Sequence, residues 1–105
     1  MKTYTIPLSN GKDIMLKGYQ ISPFIAVTQH CAFGVVVPRR WDITHLPTGS
    51  RCNHRTVDRK KMTQAAIEFA AAVGDKLNFT ATHGDHLKEL YHAFVKPILR
   101  DKHGV

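Results

Sequence analysis

Residues 56–74, TVDRKKMTQAAIEFAAAVG, have the pattern of an amphipathic helix, and this helix decides the fold class. Thr56 is the predicted N-cap, and Gly74 is the predicted end of the helix. Small alanine side chains predict a helix that lies close against a sheet. Its apolar residues recur at helical spacing on one face, and they are Met62, Ala65, Ala66, Phe69, Ala70 and Val73.

The sequence before this helix changes to the two-residue period of strands. Alternating apolar residues on both sides of a turn predict an opening hairpin: Tyr4, Ile6 and Leu8, then Asn10-Gly11, then Ile14 and Leu16. A three-residue loop through Lys12 opposes Ile6 to Leu16 and keeps the apolar side chains on one face. A two-residue turn opposes Ile6 to Met15 and does not, so we prefer the first register. Pro7 predicts a sheet edge, because proline cannot donate a ladder hydrogen bond.

Three further runs predict the rest of the sheet. Residues 24–29 are β-branched and aromatic and indicate a third strand, and the apolar run 33–37 stops at Pro38. Residues 41–46 alternate, and the turn at residues 47–49 leads back through residues 51–55, which indicates a second hairpin.

A second helix is predicted from near Thr82, where Thr82 to Asp85 imitates a capping box, with Pro97 ending or kinking it. The last five residues are expected to be frayed. We therefore predict one α+β domain over residues 1–105, β-rich over 1–55 and helical over 56–100. Its expected architecture is an antiparallel four- to five-stranded sheet with two helices packed on one face.

Charge is concentrated in the middle of the chain. The formal net charge is +7, and residues 39–61 hold seven basic residues against Asp42 and Asp58. A helix start with clustered basic side chains is a ready anion site, and an Arg beside an aromatic residue occurs on surfaces that bind single strands. The predicted binding residues for nucleic acid or another partner are Arg39, Arg40, Trp41, Arg51, Arg55, Arg59, Lys60 and Lys61.

Catalytic and metal sites are not predicted. Cys52 and His54 point to the same side of a strand, and Cys31, His30 and His45 could complete a zinc site. The chain has no Cys-x-x-Cys pair, however, so two free thiols and no metal or cofactor are expected. The eight carboxylates are scattered and no nucleophile motif is present, so we expect a binding protein rather than an enzyme.

The segment Trp41-Asp42-Ile43-Thr44-His45-Leu46-Pro47-Thr48-Gly49, followed by a strand and an alanine-rich helix, resembles small uncharacterised proteins of bacteriophages and prophages. The resemblance covers about a third of the chain and includes no catalytic residue. It implies an accessory protein that blocks or modifies a host system by docking, with anti-CRISPR inhibitors among the possibilities. Many such inhibitors are acidic mimics of nucleic acid, and this chain is basic.

The predicted function is docking on nucleic acid, or on a nucleic-acid-containing complex, through the central basic residues. The alternative is a phage-encoded inhibitor that binds a host protein. No apolar run approaches the about 20 residues that a membrane helix needs, and no signal peptide pattern is present, so a cytoplasmic location is expected. The oligomeric state stays open, since an exposed strand edge can pair with a second copy.

Overall fold

The computed structural model describes residues 1–8, 10–80 and 84–105. Five antiparallel strands form one curled sheet in the order in which they occur along the chain. The strands are β1 (Lys2–Pro7), β2 (Asp13–Gln20), β3 (Ile25–Ala32), β4 (Val35–His45) and β5 (Ser50–Arg51). The predicted α+β class and antiparallel sheet are therefore confirmed, and β1 lies at the sheet edge as Pro7 predicted.

The opening hairpin is present, but its predicted register is wrong. Ile6 pairs with Ile14 and Tyr4 pairs with Leu16, two residues away from the predicted pairing. The Leu8 N–H donates to the carbonyl oxygen of Lys12 at 2.7 Å and closes the loop one residue earlier on each strand than predicted. A shift of two residues leaves every side chain on its predicted face, and Ile6 and Leu16 are buried together on it.

Strands β3 and β4 form a long ribbon that the sequence divided into separate pieces. The sequence predicted a stop at Pro38, but β4 continues past it, from Val35 through His45. The turn lies earlier, where Phe33 and Gly34 have φ values of 54° and 75°. Positive φ at both positions suits a tight two-residue hairpin turn.

The second predicted hairpin is confirmed with a very short return strand. Thr44 pairs with Arg51, and His45 pairs with Ser50. At its turn Gly49 has a φ of 72°, and a Cβ added there would lie 2.8 Å from Cδ of Pro7. The β4–β5 turn therefore touches the end of β1, so the curl of the sheet brings its first and last strands together.

Helix α1 (Arg59–Val73) ends at Gly74 as predicted, but its N-cap is Asp58 rather than Thr56. The Asp58 carboxylate accepts from the Lys61 N–H at 2.9 Å, and Thr56 belongs to the incoming strand-like segment. All six predicted apolar positions are buried. They pack on the sheet face that carries Ile25, Val27 and Ile43.

Helix α2 (Gly84–Leu90) continues as a π-helical segment (Tyr91–Lys102), and Pro97 lies inside that segment without ending it. The predicted capping residues Thr82 and His83 lie outside the described residues. The prediction of a frayed end is wrong, because Val105 is buried and its carbonyl oxygen accepts from the N–H groups of His54 and Arg55. In the described part of the chain, no helix has both the length and the apolar character to cross a membrane.

Candidate nucleic-acid interface

A bulge in β4 presents two of the predicted arginines. Gln29 and His30 are adjacent on β3, yet they pair with Trp41 and Val37, which are four residues apart on β4. Residues 38–40 therefore have no partner on β3, and Arg39 takes a φ of 64°. A bulge bends its strand and redirects the side chains within it. Arg39 and Arg40 are both exposed as a result.

The segment after β5 returns along β4 and reaches the bulge. Trp41 N–H donates to the carbonyl oxygen of Val57 at 3.0 Å, and the Arg40 guanidinium donates to the carbonyl oxygen of Thr56 at 3.3 Å. Helix α1 begins at Arg59, just beyond this contact. The start of α1 is therefore held beside the bulge.

An aromatic contact joins α1 to the sheet at the same place. The Arg59 guanidinium carbon lies 5.1 Å from the centre of the Tyr19 ring, and its Nη1 donates to the Tyr19 hydroxyl at 2.7 Å. The Tyr19 ring in turn lies 6.2 Å from the Trp41 ring. Trp41 is half-buried and packs against the core, so it anchors the fold while part of it stays exposed beside Arg40 in the sequence.

The first turn of α1 adds the lysines to this surface. Lys60 and Lys61 follow Arg59 directly, and both are exposed. The sequence predicted that the N-terminal amide groups of α1 would bind an external anion. In the structure the Asp58 carboxylate takes that place, because it accepts from the Lys61 N–H. Side chains rather than helix-end amides are thus the main cationic groups available here. We call this surface the basic corner, and its members are Arg39, Arg40, Trp41, Arg59, Lys60 and Lys61.

Two predicted residues lie apart from the basic corner. Arg51 is on β5, opposite Thr44, and lines two cavities. Arg55 borders a third cavity together with Lys96 and Arg100 from the π-helical segment. Of the eight predicted residues, six therefore lie at the β4 bulge or in the first turn of α1, and Arg51 and Arg55 line cavities elsewhere.

A buried polar network fixes the backbone behind the basic corner. The Asp42 carboxylate, 6% exposed, accepts from His30 Nδ1 at 2.7 Å and from Asn53 Nδ2 at 2.8 Å. Asn53 Oδ1 accepts from the Ile43 N–H at 2.8 Å, in place of a backbone partner. The Asp42 carboxylate therefore has hydrogen-bond partners inside the sheet, which buried polar groups require, and Asn53 clamps the returning segment to β4.

The cysteines and histidines considered for zinc serve separate purposes. Cys31 and Cys52 are not bonded to each other, and burial raises the pKa of the Cys52 thiol to about 12. His45 is buried, with Nε2 donating to the carbonyl oxygen of Leu77 at 2.6 Å and Nδ1 accepting from the Thr48 hydroxyl at 2.7 Å. Among the described residues, no three His, Cys, Asp or Glu side chains converge as metal ligands.

Sequence reasoning missed Tyr19, Phe33, Lys96 and Arg100. Tyr19 was not singled out by any pattern; it lies near the end of β2, opposite Val27 of β3, and its ring lies under Arg59. Lys96 and Arg100, four residues apart on a helix, carried a signal in their spacing. Their proximity to Arg55 depends on tertiary packing, which no local pattern encodes.

Comparisons with protein-family models, with curated proteins and with solved structures found no match to this chain. The function of this protein is therefore inferred from the geometry of its surface.

Proposed function

We propose that this protein binds nucleic acid, alone or within a nucleoprotein complex, through the basic corner. One observation supports the proposal: the Trp41–Val57 contact holds the β4 bulge, which carries Arg39 and Arg40, beside the start of α1, which carries Arg59, Lys60 and Lys61. In proteins that hold single strands, cationic groups bind phosphates and bases stack on aromatic rings.

The charge balance of the basic corner supports a polyanionic ligand. Asp58 is the acidic residue next to the cations, and its carboxylate already caps α1. Asp42 is buried and hydrogen-bonded by His30 and Asn53. The cationic side chains thus remain exposed without a close acidic partner among the described residues.

The proposal predicts a steep salt dependence. If all five cations contact phosphates of a single strand, the affinity falls with a double-logarithmic slope of about 3.5, since each contact contributes about 0.7. Fluorescence anisotropy of a short labelled oligonucleotide, titrated at several salt concentrations, measures this slope. Binding with a slope near zero would remove the basis for the proposal.

A matched pair of variants assigns the slope to the basic corner. Lys60→Gln with Lys61→Gln should lower the slope by about 1.4, because two phosphate contacts are lost. Lys12→Gln with Lys88→Gln removes the same charge from exposed positions elsewhere and should leave the local contacts intact. Equal effects of both pairs would indicate that net charge, rather than this surface, attracts the oligonucleotide.

A second candidate function is protein docking through the tip of the β3–β4 ribbon. Phe33, at the turn, is fully exposed, and Val35 beside it is 65% exposed. Residues 29–38 contain no Lys, Arg, Asp or Glu. Exposed aromatic residues are frequent energetic anchors of protein interfaces, and a non-glycine residue at positive φ is often retained for function.

Pull-down from nuclease-treated lysate separates the two functions. Under the docking hypothesis, the wild type and Met15→Ser retain the same partner while Phe33→Ser loses it; Met15 is the control because it is 66% exposed away from the ribbon tip. Under the nucleic-acid proposal, nuclease removes the partners of all three proteins.

A further inference from the structure

A cavity of about 330 Å³ lies between the β5 segment, α1 and the π-helical segment. This volume is at the lower end of the range for small-molecule pockets, about 300–1,000 Å³. The side chains that form its apolar walls are Phe69, Leu77, Phe79, Leu90 and Val95. The cavity is on the helical side of the sheet and contains no member of the basic corner.

The polar groups inside this cavity are already engaged or neutral. His45 uses both ring nitrogens, on Leu77 and Thr48, and burial lowers the pKa of its ring. The Cys52 thiol is protonated at neutral pH because burial raises its pKa to about 12. The described residues of this interior therefore do not combine a reactive nucleophile with a free base. Their main contribution to binding is apolar contact surface.

The mouth of the cavity is cationic. Arg51, His54 and Arg100 line it and are exposed to solvent. The Arg100 guanidinium is oriented by a hydrogen bond to the Tyr91 hydroxyl, another lining residue. No Asp or Glu is among the described residues that line this cavity. An apolar interior beneath guanidinium groups is complementary to a molecule with an apolar body and one anionic end.

The adjoining cavity strengthens the positive potential at this mouth. It shares His54 and Arg100 with the first cavity and adds Arg55 and Lys96. Its one acidic lining residue among those described, Asp101, is paired with Lys96 at 3.3 Å. Positive charges that line a low-dielectric cleft raise the local concentration of an anion.

We propose that this cavity binds a small monoanionic amphiphile, such as a medium-chain carboxylate, with its apolar part against Phe69 and Leu90 and its anionic group at Arg51 and Arg100. This site is separate from the basic corner and does not depend on the proposed nucleic-acid function. A planar guanidinium forms strong, paired hydrogen bonds with a carboxylate. The limited volume selects short molecules over long-chain lipids.

Displacement of a fluorescent probe tests the proposal on the intact protein. Anilinonaphthalene sulfonate has an apolar body and one anionic group, and it should fluoresce on binding to the folded chain. Decanoate should displace it at lower concentration than decanol, which has the same chain without the charge. Arg51→Gln with Arg100→Gln should weaken decanoate about tenfold or more while changing decanol little.

Further variants keep the result interpretable. Val95→Trp should fill the cavity and abolish binding of the fluorescent probe, and Leu87→Trp should do the same from the mouth if the first variant fails to fold. Lys12→Gln with Lys88→Gln removes equal charge elsewhere and should leave decanoate binding unchanged. Equal competition by decanoate and decanol, or undiminished binding in the arginine variant, would overturn the assignment, as would the absence of probe binding by the folded protein.

Discussion

Substitution of Asn53 should lower the stability of the fold more than substitution at most other positions, because its buried side chain makes hydrogen bonds to three other residues. It accepts from the Ile43 N–H at 2.8 Å, donates to Asp42 at 2.8 Å and donates to the Arg55 carbonyl at 3.1 Å. Asn53→Ala removes all three hydrogen bonds. The Ile43 amide then lies in a residue that is 0% exposed, with no partner for its N–H.

The cost follows from the groups left behind. A buried group without its hydrogen bond costs about 1–3 kcal/mol, and the Ile43 N–H and the Asp42 carboxylate are two such groups. The Arg55 carbonyl can turn to water because Arg55 is exposed. The expected loss in the free energy of unfolding is therefore about 2–6 kcal/mol, a large part of the about 5–15 kcal/mol total of an ordinary domain.

Urea unfolding followed by the fluorescence of Trp41, the single tryptophan, measures this loss. Asn78→Ala is the matched control, because Asn78 is exposed and should change stability by less than about 0.5 kcal/mol. Asn53→Asp brings a second carboxylate against Asp42, so its defect should ease as the pH is lowered. A loss in Asn53→Ala no greater than that of the control would refute the clamp.

Two further perturbations test other parts of the fold. Burial lowers the pKa of His45 below 6.5 in the folded protein. As the pH falls, His45 therefore binds its proton in the unfolded chain before it does so in the folded one. The free energy of unfolding should decrease below about pH 6.5, by at most about 1.4 kcal/mol per pH unit. Chemical unfolding across pH should show this loss in the wild type and in the exposed-site variant His92→Gln but not in His45→Gln; equal profiles would contradict it. Gly49→Ala forces a Cβ to 2.8 Å from Pro7 at positive φ and should cost about 1–3 kcal/mol in thermal unfolding. Gly84→Ala, where an added Cβ meets nothing within 4 Å, should cost nothing, and equal melting temperatures would disprove the close contact.

The parts of the fold that sequence predicted well are those fixed by local periodicity. The apolar face of α1 was correct at every position because a three-turn pattern averages over single residues. The side-chain faces of the opening hairpin were correct while its register was not. Alternation specifies a face, whereas the pairing also depends on the loop at Leu8 and Lys12.

The errors share a physical cause, which is competition from tertiary contacts. Pro38 was taken as a stop, yet the chain passes it in a bulge whose backbone needs no partner on β3. Thr56 lost the cap to Asp58 because Trp41 holds the Val57 carbonyl in the strand pairing, so that Asp58 is the last extended residue before the helix. Arg51 and Arg55 were predicted together with the other cations, but β5 ends at Arg51 and the two arginines line different cavities.

The central proposal is that the basic corner binds nucleic acid. Trp41 can report on such binding directly, because it is the single tryptophan and belongs to the basic corner. The decisive measurement is Trp41 fluorescence during titration with a short single-stranded oligonucleotide, first at low salt and then with salt added. We predict a saturable change that reverses as salt rises and that weakens in Lys60→Gln with Lys61→Gln. Binding of the oligonucleotide with no change at Trp41, or no binding at low salt, would contradict the account.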